Sequence, residues 1–180
     1  MFEEYLEDAD YFMKKAAAQG DSQLARRYYR ASIFCAMSAI EAFVNYVGDA
    51  FAAGGSLEPY EIAFLMDKQS TLIHGKFEML DTVEYHRLED KLRFLICKFS
   101  SGFDFHTTTW WGHLLEFKKF RDSLVHPRQD EDETELDSYK SLSARGLSSV
   151  IEAINHLCIG IFRKPLRKKL LELRVENSSS

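Results

Sequence analysis

Proline is scarce in this chain, with three in 180 residues, and glycine numbers only nine. Proline removes a backbone donor and clashes with the preceding helical turn, so its scarcity leaves room for long helices, and the composition favours an all-α protein. Cysteine is equally sparse: Cys35, Cys97 and Cys158 stand alone, odd in number and without a CxxC pair. Such a pattern excludes a disulfide framework and a zinc site, and reads as reduced thiols in a cytoplasm. No uninterrupted apolar run approaches the roughly 20 residues that cross a bilayer. The acidic start, Met1 to Asp8, lacks the basic end and apolar core of a signal peptide. The expectation is a soluble, cytoplasmic protein with no membrane partner. Internal repeats, a Gly-rich phosphate loop and a nucleophile elbow are also missing, and no cofactor is expected. His106 and His113 lie seven apart without a third ligand, and His74, His86 and His156 have no partner pattern, so no metal site is read from them.

Charge excludes a further class. With 28 acidic and 23 basic residues the formal net charge is −5, which argues against a broad, non-specific nucleic-acid binder and confines any RNA contact to one surface.

What is present is helical periodicity. At 180 residues the chain suits one domain, residues 1–174, with a disordered tail over 175–180. A first helix is expected from Phe2 to Gln19, with Gly20 in a left-handed closing position. A long second helix follows from Ser22 to Ala53, carrying Tyr29, Ile33, Met37, Ile40, Val44 and Val47 at three-four spacing until Gly54-Gly55 ends it. From Leu57 to Asp81 the pattern weakens, and one short helix with an irregular connection is expected. Asp81 and Glu84 open the next helix, with Tyr85, Leu88, Leu92, Leu95 and Phe99 as its seam, and Thr107 to Thr109 cap the one after. The acidic run from 128 to 137 reads as an exposed mobile loop, or as a lid competing with RNA phosphates. The final long helix carries Leu147, Val150, Ile154, Leu157 and Ile161, and Pro165 bends or restarts it. The basic cluster Arg163, Lys164, Arg167, Lys168 and Lys169 reads as a solvated helix end or an RNA-backbone contact. The fold class is all-α, an up-and-down bundle of four to six helices, two of them long.

One stretch organises the rest: Phe117 to Arg128, at the C-terminal end of a central helix. Projected at about 100° per residue, Trp110, Leu114, Phe117, Leu124 and Val125 share one side, and Arg121 falls among them. A core-facing guanidinium implies a fixed anion nearby or a site that receives one. Pro127 disfavours α geometry at His126, which frees the imidazole from the helical projection, and Asp122 is spaced to hydrogen-bond it. On the second helix Arg30, Ser38, Glu41 and Asn45 form a polar stripe. It reads either as a solvated face that includes an anion for Arg121, or as the border of the site through Glu41 and Asn45. Lys118 and Arg128 flank the motif.

Arg121-Asp122-Ser123-Leu124-Val125-His126, at a helix end and followed by Pro127-Arg128, resembles the Arg-x4-6-His motif of the HEPN superfamily. The segment Ala31 to Tyr46 resembles the long second helix of such domains. The resemblance implies catalysis by Arg121, Asp122 and His126, with Glu41, Asn45, Lys118 and Arg128 bordering the site. It implies a homodimer whose two motifs meet in a composite cleft, RNA as substrate, and settings such as toxin-antitoxin pairs with a nucleotidyltransferase-like antitoxin, or phage defence. An Arg and a His without metal ligands suit cleavage by the RNA's own 2′-hydroxyl, leaving a 2′,3′-cyclic phosphate. The competing expectations are a non-catalytic helical interaction domain, with Arg121 in an ion pair, and a nucleotide-binding regulator holding phosphates on Lys118, Lys119 and Arg121. The exposed sides of Trp110, Trp111 and Phe120 suggest either a dimer interface or core packing.

Overall fold

The structure, a computed structural model, describes residues 1–126 and 135–176. Helix α1 (Phe2–Ala17) is followed by α2 (Ser22–Ala52), whose first turn is capped by Asp21 accepting from the amides of Gln23 and Leu24. The closing residue of α1 is Ala18 in right-handed geometry, and Gly20 is not left-handed, in contrast to the expected cap. Leu6, Ala9, Met13 and Ala16 fill the side of α1 that meets α2, and the Ser32 hydroxyl donates to the Ala9 carbonyl at 2.7 Å. Helix α2 is long and apolar enough to cross a membrane by length and composition, but 56% of its most apolar window is buried in this fold, against α1 and α6.

The region after α2 departs from an all-α chain. Helix α3 (Pro59–Leu65) is short, with Pro59 in its first turn and Glu61 accepting from the Glu58 amide at 2.9 Å. An antiparallel hairpin then replaces the expected irregular connection: β1 (Lys68–Ile73) pairs with β2 (Lys76–Val83), Ile73 opposite Lys76. Its turn, His74-Gly75, has positive φ at both residues (50° and 80°), the geometry of a type I′ turn whose twist matches that of the strands. Asp81 and Glu84 therefore belong to the hairpin and its exit. Helix α4 (Leu88–Phe99) opens at Leu88 instead, and Tyr85 is 88% exposed and not part of its seam. The chain is mainly helical, with this one small sheet among the described residues.

A 3-10 turn at Phe105–Thr107 leads into α5 (Thr109–Val125), the motif helix, which lies against α6 (Leu136–Phe162). The two approach closely because residue 146 is glycine, and an added Cβ there would collide with the buried Phe117 ring. Trp111 is buried edge-on to Phe105 at 4.7 Å, and Phe120 meets Tyr139 at 5.2 Å, so the aromatic residues of α5 serve the core. Arg163 ends α6 in left-handed geometry, and α7 (Lys168–Glu176) returns across α1. Two members of the C-terminal basic cluster are paired there, Arg167 with Glu3 at 3.0 Å and Lys169 with Glu7 at 2.7 Å. The stretch from 127 to 134, which holds most of the acidic run, and residues 177–180 of the expected tail lie outside the described residues; the end of the run, Glu135 to Asp137, caps and opens α6 instead of forming loop, and residues 175 and 176 continue α7.

His156 on α6 is held between Phe103, centroid to centroid 4.1 Å, and Trp110 at 6.0 Å, and its Nε2 is buried without a partner among the described residues. Burial disfavours the imidazolium and pushes its pKa below the ordinary value.

Two outcomes follow. The unfolded chain binds a proton at His156 that the folded chain resists, so stability present above about pH 6.5 should fall as pH drops below that value. Thermal unfolding at about pH 7.5 and 5.5 should show a smaller decline in His156→Phe, which keeps the stacked ring without the titrating nitrogen. Gly146→Ala should lower the urea midpoint by about 1–3 kcal/mol equivalent at unchanged slope, since Phe117 has no room to withdraw.

Candidate functional site

The last two turns of α5 run past the closely packed part of the core. Trp111, Leu114 and Phe117 are buried, but the same face of the helix opens at Arg121 onto a cleft of about 380 Å³ between α2, α4, α5 and the base of the hairpin. Arg121 is 23% exposed in that cleft. It is not sealed in the core, because the apolar stripe it sits on outruns the helices that cover it. Its Nη2 donates to Glu41 Oε1 at 2.7 Å and its Nη1 lies 3.4 Å from Asp122 Oδ1, while Nε is buried without a partner among the described residues. Glu41 thus supplies the anion that an Arg on this stripe demands, and it also lines the cleft with Asn45 and Lys118.

The expected hydrogen bond from the His126 imidazole to the Asp122 carboxylate does not form. Lys118, one turn earlier on α5, holds Asp122 Oδ2 at 2.8 Å, and Arg121 draws the other oxygen. His126 contributes only its backbone amide, donating to the Asp122 carbonyl at 3.0 Å. It caps α5 with φ −123° and ψ 66°, outside the α region, as the pre-proline position requires, which takes the ring off the i,i+4 register the side-chain bond needs. The imidazole is exposed and does not line the Arg121 cleft. The motif's two principal groups are therefore not brought together within one chain. Arg128 lies outside the described residues.

Asp67 and Lys91, not singled out from the sequence, also line the cleft, and so does His86, expected to have no partner pattern. Lys91 is buried on α4, 5% exposed, and its Nζ meets Asp67 Oδ2 at 2.6 Å. The other Asp67 oxygen accepts from the His86 amide at 2.8 Å, and the Asp67 carbonyl accepts from Glu84 at 2.9 Å. Asp67 adopts a left-handed φ of 54°, a region its short polar side chain tolerates, and so clamps both ends of the hairpin to α4. The signal for Lys91 was present: it stands at core spacing from Leu88 and Leu95, and a buried ammonium needs a carboxylate just as Arg121 does.

Electrostatically the cleft is balanced, with Lys91, Lys118 and Arg121 set against Glu41, Asp67 and Asp122. The pairs differ in exchangeability. Lys91 is enclosed, whereas Glu41 is 46% exposed and can leave for water at little cost. An incoming phosphate can therefore take the place of Glu41 at Arg121, beside Lys118 on its own partner Asp122, which would free the guanidinium's donors for non-bridging oxygens. Among the described residues no three His, Cys, Asp or Glu side chains group as metal ligands.

The asymmetry predicts unequal costs. Glu41→Gln should change unfolding free energy by less than about 1 kcal/mol, as for exposed pairs. Asp67→Asn, which keeps the left-handed backbone but leaves Lys91 uncompensated, should cost roughly 3 kcal/mol in the same denaturant titration. Compared with protein-family models, curated proteins and solved structures, the chain matches none.

Proposed function

We propose that this chain is a metal-independent endoribonuclease of HEPN type, built on an up-and-down helical bundle and acting as a cytoplasmic homodimer. The observation that carries the reading is Arg121 lining an open cleft beside Lys118, on the same helix that ends at an exposed His126. Separation of the two groups within one chain is the geometry a composite site requires, because a symmetric pair of α5 ends can bring one protomer's Arg121 to the other's His126. RNA phosphate enters by displacing Glu41, and Arg121 holds the non-bridging oxygens and stabilises the charge that grows on them. One His126 removes the proton from the 2′-hydroxyl as that oxygen attacks phosphorus. The second His126 delivers a proton to the departing 5′-oxygen, leaving a 2′,3′-cyclic phosphate and a 5′-hydroxyl. Asp122 acts on Arg121 and Lys118 rather than on the imidazole. A nucleotidyltransferase-like antitoxin and a role in phage defence belong to the same proposal.

A second reading rests on the Arg121–Glu41 contact at 2.7 Å. If that pair is permanent, the chain is a non-catalytic helical interaction domain, and if it opens to hold a phosphate without cleaving it, a nucleotide-binding one. The two separate on mutation. Under the first reading, incubation with RNA in EDTA gives cyclic-phosphate ends, His126→Ala abolishes them by about 10²-fold or more, and the melting temperature is unchanged because the side chain is exposed. Cleavage that persists undiminished in His126→Ala, or a wild type that never cleaves, sinks the nuclease.

A further inference from the structure

Beside the Arg121 cleft lies a second groove of about 350 Å³, between α3, α4 and the hairpin, and His86 lines both. The two are also joined along the chain, since Asp67 lines the cleft and the next residue, Lys68, lines the groove. The groove's walls are aromatic. Phe64 meets Phe94 edge-on at 5.7 Å and lies 4.5 Å from the His86 ring, while Tyr60, 43% exposed, leans on Phe77 at 5.1 Å. Its polar lining is Glu61, Lys68, Ser70, Glu84 and His86, of which Glu61 is held by Lys98 at 2.7 Å and Lys68 by Asp81 at 2.9 Å. The size is in the range of small-molecule sites, about 300–1,000 Å³, and aromatic walls set among polar groups are a feature of them.

A groove with aromatic walls, adjoining a charge-balanced cleft in which Arg121 can exchange its exposed partner Glu41 for an anion, matches a ligand that carries a ring and a phosphate in one unit. We propose that this groove receives an unstacked base of single-stranded RNA, with the adjoining backbone phosphate in the Arg121 cleft; the inference rests on the ribonuclease reading above and names its substrate as single-stranded. Stacking on aromatic side chains is how proteins hold unpaired bases, because every base presents a π face. The Glu84 carboxylate accepts but cannot donate, so it pairs with whichever N–H edge the base turns toward it. The hairpin acquires a role here: Asp67 holds it against α4 through Lys91 and the His86 amide, and so keeps cleft and groove in register.

The test uses fluorescence anisotropy of the full chain with labelled hexaadenylate RNA and an abasic strand of the same length, in EDTA and with the His126→Ala variant to prevent turnover. Hexaadenylate should bind more tightly than the abasic strand, and Tyr60→Ala should weaken hexaadenylate roughly tenfold while leaving the abasic strand unchanged. Arg121→Ala should weaken both kinds of strand. Equal binding of hexaadenylate and abasic strand, both lost in Arg121→Ala, overturns the base site and leaves the phosphate cleft standing. Binding of neither strand removes the cleft reading as well. AMP competing as tightly as the hexamer reassigns the groove to a free nucleotide, and a monomer produced by Tyr60→Ala in sedimentation reassigns it to a subunit contact; either overturns the proposal.

Discussion

At the end of α5 the guanidinium of Arg121 meets the carboxylate of Glu41 on α2 at 2.7 Å. A guanidinium stays charged at any relevant pH, so its position on an apolar stripe obliges the surrounding fold to supply negative charge or leave an opening for it. Here both occur. Glu41 provides the charge, and the cleft provides the opening, because α2, α4 and α5 do not close around the last turns of the motif helix. The core beneath is what holds this geometry. Gly146 lets α6 press onto Phe117 one turn before Arg121, and α2 is clamped along its length between α1 and α6.

A second buried cation repeats the constraint with a different outcome. Lys91 is enclosed and its partner Asp67 is committed on both oxygens, to Lys91 and to the His86 amide. That pair is architectural: it sets where the hairpin starts and ends. The Arg121 pair is exchangeable, since Glu41 faces water.

The helical elements were legible because burial is periodic. The existence of α1, α2 and α6, the start of α1 and both ends of α2 to within a residue, the loss of helix at His126 and the restart after Pro165 follow from three-four spacing and from proline's effect on its neighbours. The hairpin was not read, although His74-Gly75 and the alternation of Phe77, Met79 and Val83 were in view. The strands are short and largely exposed, so hydrophobic period carried little of the signal; the turn's positive φ values carried the rest. Asp81 and Glu84, read as a helix start, were hairpin residues for the same reason.

For the site, the amino-acid order alone settled that Arg121 needs an anion and that His126 leaves the helix, because both are consequences of charge and of local backbone sterics acting within a few residues. Which carboxylate answers Arg121, that Asp122 turns to Lys118 instead of the imidazole, and that Asp67, His86 and Lys91 join the cleft were decided only in three dimensions. Those contacts span up to 80 positions of sequence, and pairings at that range depend on how whole helices pack, which no local pattern encodes.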